Sequence, residues 1–202
     1  MNVTKKMGRP RNFDYDTALL RAMKVFWEKG YDGASMRDLT AAMGITGPSL
    51  YAAFGDKTEL YLKTIDHYIS SDACTPLVVL ERESDIETAL KEFLFEVIRS
   101  ATDHESGAKG CFIASSVVAT TEHVEGVSAR VNAIMAEAED RLTARFQKEI
   151  DKGNLPQSFP ARFRASMLFD LRQGYMFRGR AGGSKEEMLK DVSERVRMLL
   201  SA

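Results

Sequence analysis

Apolar residues recur every three or four positions along most of this chain, the spacing that gathers them on one side of a helix. Between Asp14 and Lys29, Leu19, Ala22, Met23 and Phe26 form such a stripe, with Arg21, Lys24 and Glu28 on the other side. Gly30 then stands where a helix is expected to end. Ser35 opens a second segment with Asp38 in capping-box position, and Met36, Leu39, Ala42 and Met43 give it an apolar side up to Gly44. Thr46 is suited to cap a third helix whose first two positions are Gly47 and Pro48, where a missing amide hydrogen costs nothing. Leu50 and Phe54, four apart, face inward on it, and Gly55 ends it. Asp56 is placed to cap a fourth helix running from Lys57 through Leu60, Leu62, Ile65 and Ile69. Two short helices joined by a tight glycine turn predict a helix-turn-helix pair.

The remainder also reads as helical. Ile86, Leu90, Phe93 or Leu94, and Val97 repeat between Asp85 and Ala101, followed by a glycine-bounded loop at 103–110. Cys111 to Ala119 is almost wholly apolar and predicts a helix buried on most sides. Val127, Val131, Ile134, Ala138, Leu142, Phe146 and Ile150 mark one stripe of a long helix over about 123–152, broken by Gly153, Asn154 and Pro156. Phe163, Met167, Leu171 and Tyr175 are four apart in a segment from Pro160 to Arg178. Ser184, with Glu187 in capping-box position, opens one last helix carrying Met188, Val192, Val196 and Leu199. Leu77 to Leu80, after Pro76, begins a helix or forms a short loop on the core. No alternating segment of strand length stands out, so the fold class is all-α.

Charge changes the picture by its distribution. The 202 residues carry a formal net charge of −1, which excludes a surface coated in basic side chains but leaves room for a local basic patch. Residues 1–12 hold Lys5, Lys6, Arg9 and Arg11 and no acid. Residues 1–68 contain ten basic and eight acidic side chains, against eighteen and twenty-one in the rest. This divides the chain into a basic arm at 1–12, a helix-turn-helix domain at 13–60 and a larger helical domain at 61–202.

Enzyme chemistry finds no foothold. There is no phosphate-cradling glycine loop, no nucleophile elbow and no HExxH. Cys74 and Cys111 lie far apart, and His104 and His123 have no second ligand at metal spacing, so neither a metal site nor a cofactor is expected. Glu137 and Arg141 have the spacing of an ordinary pair on a solvated helix face. Free thiols, no apolar run after the basic start and nothing near the ~18 apolar residues of a membrane span point to a cytoplasmic protein.

The third helix is the segment that invites a partner. A helix entering the DNA major groove needs small residues where backbones approach, and Gly47 and Ser49 meet that need. Thr46 adds a hydroxyl beside the helix N-terminus, Tyr51 points away from the inward face, and Lys57 opens the next helix where a phosphate is in reach. Each has a plain alternative: Pro48 as a helix starter, Tyr51 and Lys57 as ordinary surface, the arm as a solvated terminus.

The block ALLRAMKVFWEKGYDGASMRDLTAAMGITGPSLYAAFGDKTELYL resembles the TetR/AcrR family of one-component transcriptional regulators. Phe26, Gly30, Tyr31, Ser35, Leu39, Gly44, Ile45, Leu50, Tyr51, Phe54, Lys57 and Leu60 fall in that family's register, over roughly a quarter of the chain. The resemblance implies an N-terminal three-helix DNA-binding domain followed by a ligand-binding and dimerisation domain. It implies a homodimer on a palindromic double-stranded DNA operator, most simply a repressor released by a small-molecule inducer. Carried over residue by residue, it puts Ser35, Thr46, Tyr51 and Lys57 on phosphates, and Arg37, Gly47, Pro48, Ser49 and Ala52 at or near base edges. The basic arm, with Arg9 and Arg11, is suited by its charge alone to cross the backbone and enter an adjacent minor groove. Ala52 and Ala53 stand where bulkier side chains are frequent in the family, which leaves little bidentate hydrogen bonding for base readout. A pocket implied between the later helices has Phe93, Val97, Cys111, Phe112, Ser115, Met135, Phe169, Met176 and Phe177 as candidate lining. Phe163, Met167, Leu171, Tyr175, Val192, Val196 and Leu199 are candidates for a two-fold helical interface. A protein-interaction adaptor, or less readily a helical enzyme for an apolar substrate, remains open on the residues alone.

Overall fold

The computed structural model describes residues 13–70, 75–103 and 111–201, all helices and connections with no strand among them. Arg9, Arg11, Cys74 and His104 lie outside the described residues. The first four helices are α1 (Tyr15–Gly33), α2 (Met36–Met43), α3 (Gly47–Phe54) and α4 (Lys57–Ser70). α5 (Thr75–Arg82) and α6 (Ile86–Thr102) follow, then a π turn over Ile113–Val117 and a 3-10 turn over Val118–Thr120. α7 (Val127–Asp151), α8 (Ala161–Arg180), α9 (Lys185–Lys190) and α10 (Val192–Leu200) complete the chain.

Local signals begin most of these elements, at the expected caps Ser35 and Asp56 and also at Asp14 and Asp85. Asp14 Oδ1 accepts from Thr17 N–H at 2.7 Å and Asp85 Oδ1 from Thr88 N–H at 2.8 Å. Ser35 and Asp38 bond each other reciprocally at 3.1 and 3.0 Å, and Asp56 and Glu59 do the same at 2.9 Å each. At Ser184 only half of the expected box forms: Ser184 Oγ accepts from Glu187 N–H at 3.4 Å, while the Glu187 carboxylate turns to Lys190. The helical path of α1 breaks at Gly30, with φ 71° and ψ 173°.

The quartet Leu77–Leu80 lies inside the helix α5, the helical one of its two expected alternatives. Two segments differ from the sequence expectation. The apolar run from Cys111 buries Phe112, Ile113 and Val117 but leaves Val118 47% exposed, because the π turn rotates the following residues outward. The single last helix is two, parted at Asp191, where φ −98° and ψ 2° leave helical geometry.

The C-terminal helices surround α6, whose Leu90, Phe93, Leu94, Val97 and Ile98 are completely buried. α8 crosses α6 where Gly179 meets Ala101, and a Cβ on Gly179 would lie 2.5 Å from the Ala101 carbonyl oxygen, so only glycine permits this approach. The apolar stripe of α7 closes on the same core through Val127, Val131, Leu142, Phe146 and Ile150.

α7 also buries an ion pair that its sequence spacing hides among ordinary surface charges. Arg145 is 4% exposed and Glu149 0%, and they pair one turn apart. Arg145 Nε donates to the Leu80 carbonyl at 3.0 Å, and its Nη2 to those of Glu83 and Ser84 at 3.1 and 3.3 Å. Lys152 and Asn154 donate to the Glu149 carboxylate at 2.9 and 2.6 Å. Burial pushes the Glu149 carboxyl up, but the bonds from Asn154, Lys152 and Arg145 outweigh it and hold its pKa down at about 2. One turn earlier Arg141 grips Glu81 of α5 in a bidentate pair at 2.7 and 2.9 Å, a partner its spacing to Glu137 did not suggest.

The N-terminal helices and the bundle share one aromatic layer. Trp27 of α1 meets Tyr68 of α4 at 5.6 Å and Phe112 at 5.5 Å, and Tyr61 reaches Phe26 at 4.8 Å and Phe112 at 6.2 Å. Ser116 Oγ donates to the Trp27 carbonyl at 3.3 Å, and Arg130 of α7 pairs with Asp66 of α4. α4 thus runs unbroken through position 60, with Tyr61, Ile65 and Tyr68 buried beyond it.

Candidate nucleic-acid interface

The turn ahead of α3 is set by Gly44, at φ 69° and ψ 31°. Its N–H reaches the carbonyls of Thr40 and Ala41, and Ile45 N–H returns to Thr40 at 3.2 Å, the Schellman arrangement that ends a helix and reverses the chain. Thr46 Oγ1 then accepts from Ser49 N–H at 3.4 Å and starts α3 two residues after the turn.

α3 is too short to stand alone and is held from behind. Leu50 and Phe54 are fully buried. Tyr15 stacks on the Phe54 ring at 4.5 Å, with Phe13 at 6.0 Å, and Lys63 Nζ donates to the Phe54 carbonyl at 3.0 Å, satisfying a group the helix end leaves open. The opposite face is left to solvent: Pro48, Tyr51 and Ala52 are exposed, Tyr51 at 55%, and Gly47 and Ser49 are half-buried. No side chain on α3 is charged, so the outward face is small and neutral, edged by charges from its neighbours.

Lys57, the first residue of α4, places its ammonium 4.3 Å from the centre of the Tyr31 ring, and Tyr31 is itself fixed by a 2.9 Å bond between its hydroxyl and Thr58 Oγ1. No carboxylate among the described residues pairs with Lys57, so a positioned cation stands at a helix N-terminus with its charge unmatched. Arg37 on α2 is exposed. Ser35 and Thr46, expected on phosphates, have their hydroxyls engaged: Ser35 Oγ donates to Asp38 Oδ2 at 2.7 Å, and Thr46 Oγ1 lies 2.9 Å from Ser49 Oγ. The bonds from Lys29 and Ser35 drive the Asp38 carboxyl far below its ordinary pKa, so that cap remains charged.

The sequence reading did not single out Arg21, whose guanidinium lies 3.5 Å from the place a Gly44 Cβ would occupy and adds positive charge beside the turn. Nor did it single out Lys63 as the cap of α3. Lys63 lies nine residues past Phe54, and no local capping rule reaches that far.

The pocket expectation is redrawn. A cavity among α4–α8 is lined by Phe93, Cys111, Met135 and Phe169, together with Tyr68, Ile69, Leu77, Arg172 and Gln173. Val97, Phe112 and Met176 are instead core residues, Ser115 is not in its wall, and Phe177 is 75% exposed. Val97 of α6 and Met176 of α8 lie in the core those helices share, and Phe112 is taken up by the aromatic layer with Trp27, Tyr61 and Tyr68. Burial raises the Tyr68 phenol well above its ordinary pKa, so it stays protonated.

The interface expectation is corrected in the same way. Tyr175, Val192, Val196 and Leu199 are at most 3% exposed within one chain, because α10 lays its stripe on α6 and α8. Phe163 is 62% exposed, and Met167 and Leu171 are half-buried. Phe177 of α8 and Met198 of α10 are further exposed apolar side chains, at 75% and 59%.

Residues 18–64 match the model described as bacterial regulatory proteins, tetR family. Over 197 residues the chain is 29% identical to the HTH-type transcriptional repressor ComR of Escherichia coli K12, covering 97% of this chain and 93% of that one. The HTH-type transcriptional repressor BdcR of the same organism is 34% identical over 119 residues, covering 57% of this chain and 60% of BdcR. Among solved structures, a cysteine mutant of the TetR family regulator CifR in complex with a 26 bp double-strand operator DNA superposes with a TM-score of 0.84. It is 32% identical, covering 94% of this chain and 98% of that one.

Proposed function

The chain belongs to the TetR family of bacterial regulatory proteins, and from that premise we propose that it holds a two-fold-symmetric duplex operator as a homodimer, acts as a repressor and leaves the operator when a small molecule enters its C-terminal domain. The observation that carries the reading is α3: a neutral, small-residue face turned to solvent, buried firmly behind and flanked by Lys57 and Arg37, neither of which pairs with a carboxylate among the described residues. In the groove, Gly47, Pro48, Ser49 and Ala52 allow close approach, Tyr51 and Lys57 take phosphates, and Arg37 is left for base edges. Ser35 and Thr46 contribute by setting helix starts, and their backbone and hydroxyl groups lie nearby for phosphate contact. Arg9 and Arg11 extend the charge into a flanking groove.

Pairing of two chains is supported by α8, where Phe163, Met167, Gly174 and Phe177 are spaced four, seven and three apart and share one face. Gly174 has open space around it, which lets a second α8 come close, and Met198 of α10 adds to the patch. Clustered exposed apolar side chains of this kind mark a protein interface.

Titration of the purified chain on duplexes selected from a random pool, across salt concentrations, tests the reading. Phosphate-mediated binding falls steeply and linearly in log–log form as salt rises. A dimer with no salt-sensitive affinity for any duplex in the pool is incompatible with it.

A further inference from the structure

The cavity wall has a chemical asymmetry. Its body is apolar, formed by Leu77, Phe93, Ile134, Met135 and Phe169. Two guanidinium groups also line it, and they are not equivalent. Arg141 is occupied by the Glu81 carboxylate through two bonds. Arg172 donates to the neutral Gln173 Oε1 at 2.8 Å, and no carboxylate of the described residues pairs with it. Its charge is felt at the buried Tyr68 phenol, which lies on the same wall. A half-buried guanidinium facing an apolar space without a counter-ion favours whatever brings one.

Size narrows the choice. Counted as space open to the centres of water-sized molecules, the cavity measures about 60 Å3. At ~10–15 Å3 for each such centre it holds roughly four to six water-sized groups. We infer that this cavity takes a small amphipathic carboxylate, a short apolar body lying on Phe93 and Phe169 with its anionic end on Arg172 and Gln173. The inference rests on the ligand-responsive reading above and gives that ligand a chemistry. Glu137, the wall's carboxylate, is exposed, so water screens it and it holds little attraction for the Arg172 guanidinium.

The chain carries its own reporter. Trp27 is its single tryptophan, and its ring lies 5.6 Å from that of Tyr68 in the cavity wall. Pentanoate, pentan-1-ol and pentylamine, titrated separately into the full chain with Trp27 fluorescence as the readout, compare three end groups on one apolar body. Pentanoate is expected to bind at least ~10-fold more tightly than the alcohol, with the amine weakest, as a charge-assisted bond to a guanidinium requires. Arg172→Gln removes the acid's advantage and leaves the alcohol unchanged, Arg172→Lys retains most of it, and Ala138→Leu, which fills the cavity, abolishes binding of all three. Circular dichroism of each variant checks the fold, and the Arg172→Lys and Ala138→Leu results decide the matter if Arg172→Gln does not fold. Equal affinity for acid and alcohol, preference for the amine, binding of none of the three, or an acid preference that survives Arg172→Gln overturns the inference. Duplex affinity measured without any probe tests the regulator reading separately: its loss removes that reading, while a chain that binds duplex but shows no carboxylate preference loses only this one.

Discussion

The recognition unit formed by α1–α3 and the start of α4 differs from the bundle formed by α5–α8 in how it uses charge: of the two, among the described residues, only the bundle buries an ion pair. In the first, ionic contacts lie at the surface: Lys29 and Asp38 pair with side chains 46% and 34% exposed, and the unmatched Lys57 rests on an aromatic ring. Such contacts set caps and present charge to solvent, and add little to stability. In the second, Arg145 and Glu149 are withdrawn from water and tie α7 to the α5–α6 junction through three carbonyls. A surface that must meet phosphates keeps its cations hydrated and available. The bundle has surface pairs of its own, such as Lys91 with Glu87 and Arg162 with Asp140, and adds to them a buried pair that holds its helices in place. The aromatic layer of Trp27, Tyr61, Tyr68 and Phe112 is where the two regimes meet.

That contrast breaks first at Glu149. Glu149→Ala leaves the Arg145 guanidinium buried without its anion and is expected to cost about 3–5 kcal/mol in urea denaturation; a loss below 1 kcal/mol would mean the pair is not a clamp. Crowding α8 comes next. Gly179→Ala drives a methyl into the Ala101 carbonyl and is expected to cost about 1–3 kcal/mol, read as a lowered denaturation midpoint. On the recognition side the effects move from stability to binding. Lys57→Ala is expected to weaken duplex affinity about tenfold and to lower the salt slope by about one, with an unchanged midpoint. Ser35→Ala removes half of the α2 capping box and is expected to cost about 1 kcal/mol, visible as a small shift in melting temperature.

Acid sharpens the comparison further. The Glu149 carboxyl has a pKa of about 2 in the folded chain against 4.5 as an ordinary glutamate, so its contribution is complete above 4.5 and is lost as the pH falls toward 2. Denaturation curves over that window are expected to steepen the loss of stability in the native chain, and Glu149→Gln is expected to flatten this part of the profile.

How much of this was legible depended on distance along the chain. The caps at Asp14, Ser35, Thr46, Asp56 and Asp85 span three residues each, and the glycine at 44 marks its own turn, so the helix-turn-helix could be drawn from spacing alone. The buried faces of Leu50 and Phe54 followed from the same periodicity. Arg145 and Glu149 were not legible as a buried pair, because their four-residue spacing is that of a solvated helix face and the carbonyls that hold Arg145 lie some sixty residues away at Leu80, Glu83 and Ser84. The stripe of Val192, Val196 and Leu199 was read as an interface for the same reason: periodicity identifies an apolar face and does not name its neighbour.

The amino-acid sequence by itself determined the helical class, the register of the recognition helix and the residues that helix turns outward, since each is a matter of contacts within one or two turns. Only the packing of distant helices decided that α10 closes the core of its own chain, that Arg141 is matched and Arg172 is left facing a cavity, and that Tyr68 sits between that cavity and Trp27. The physical reason is that burial and ion pairing are properties of surfaces in contact, and a helix carries its pattern without specifying which surface will meet it.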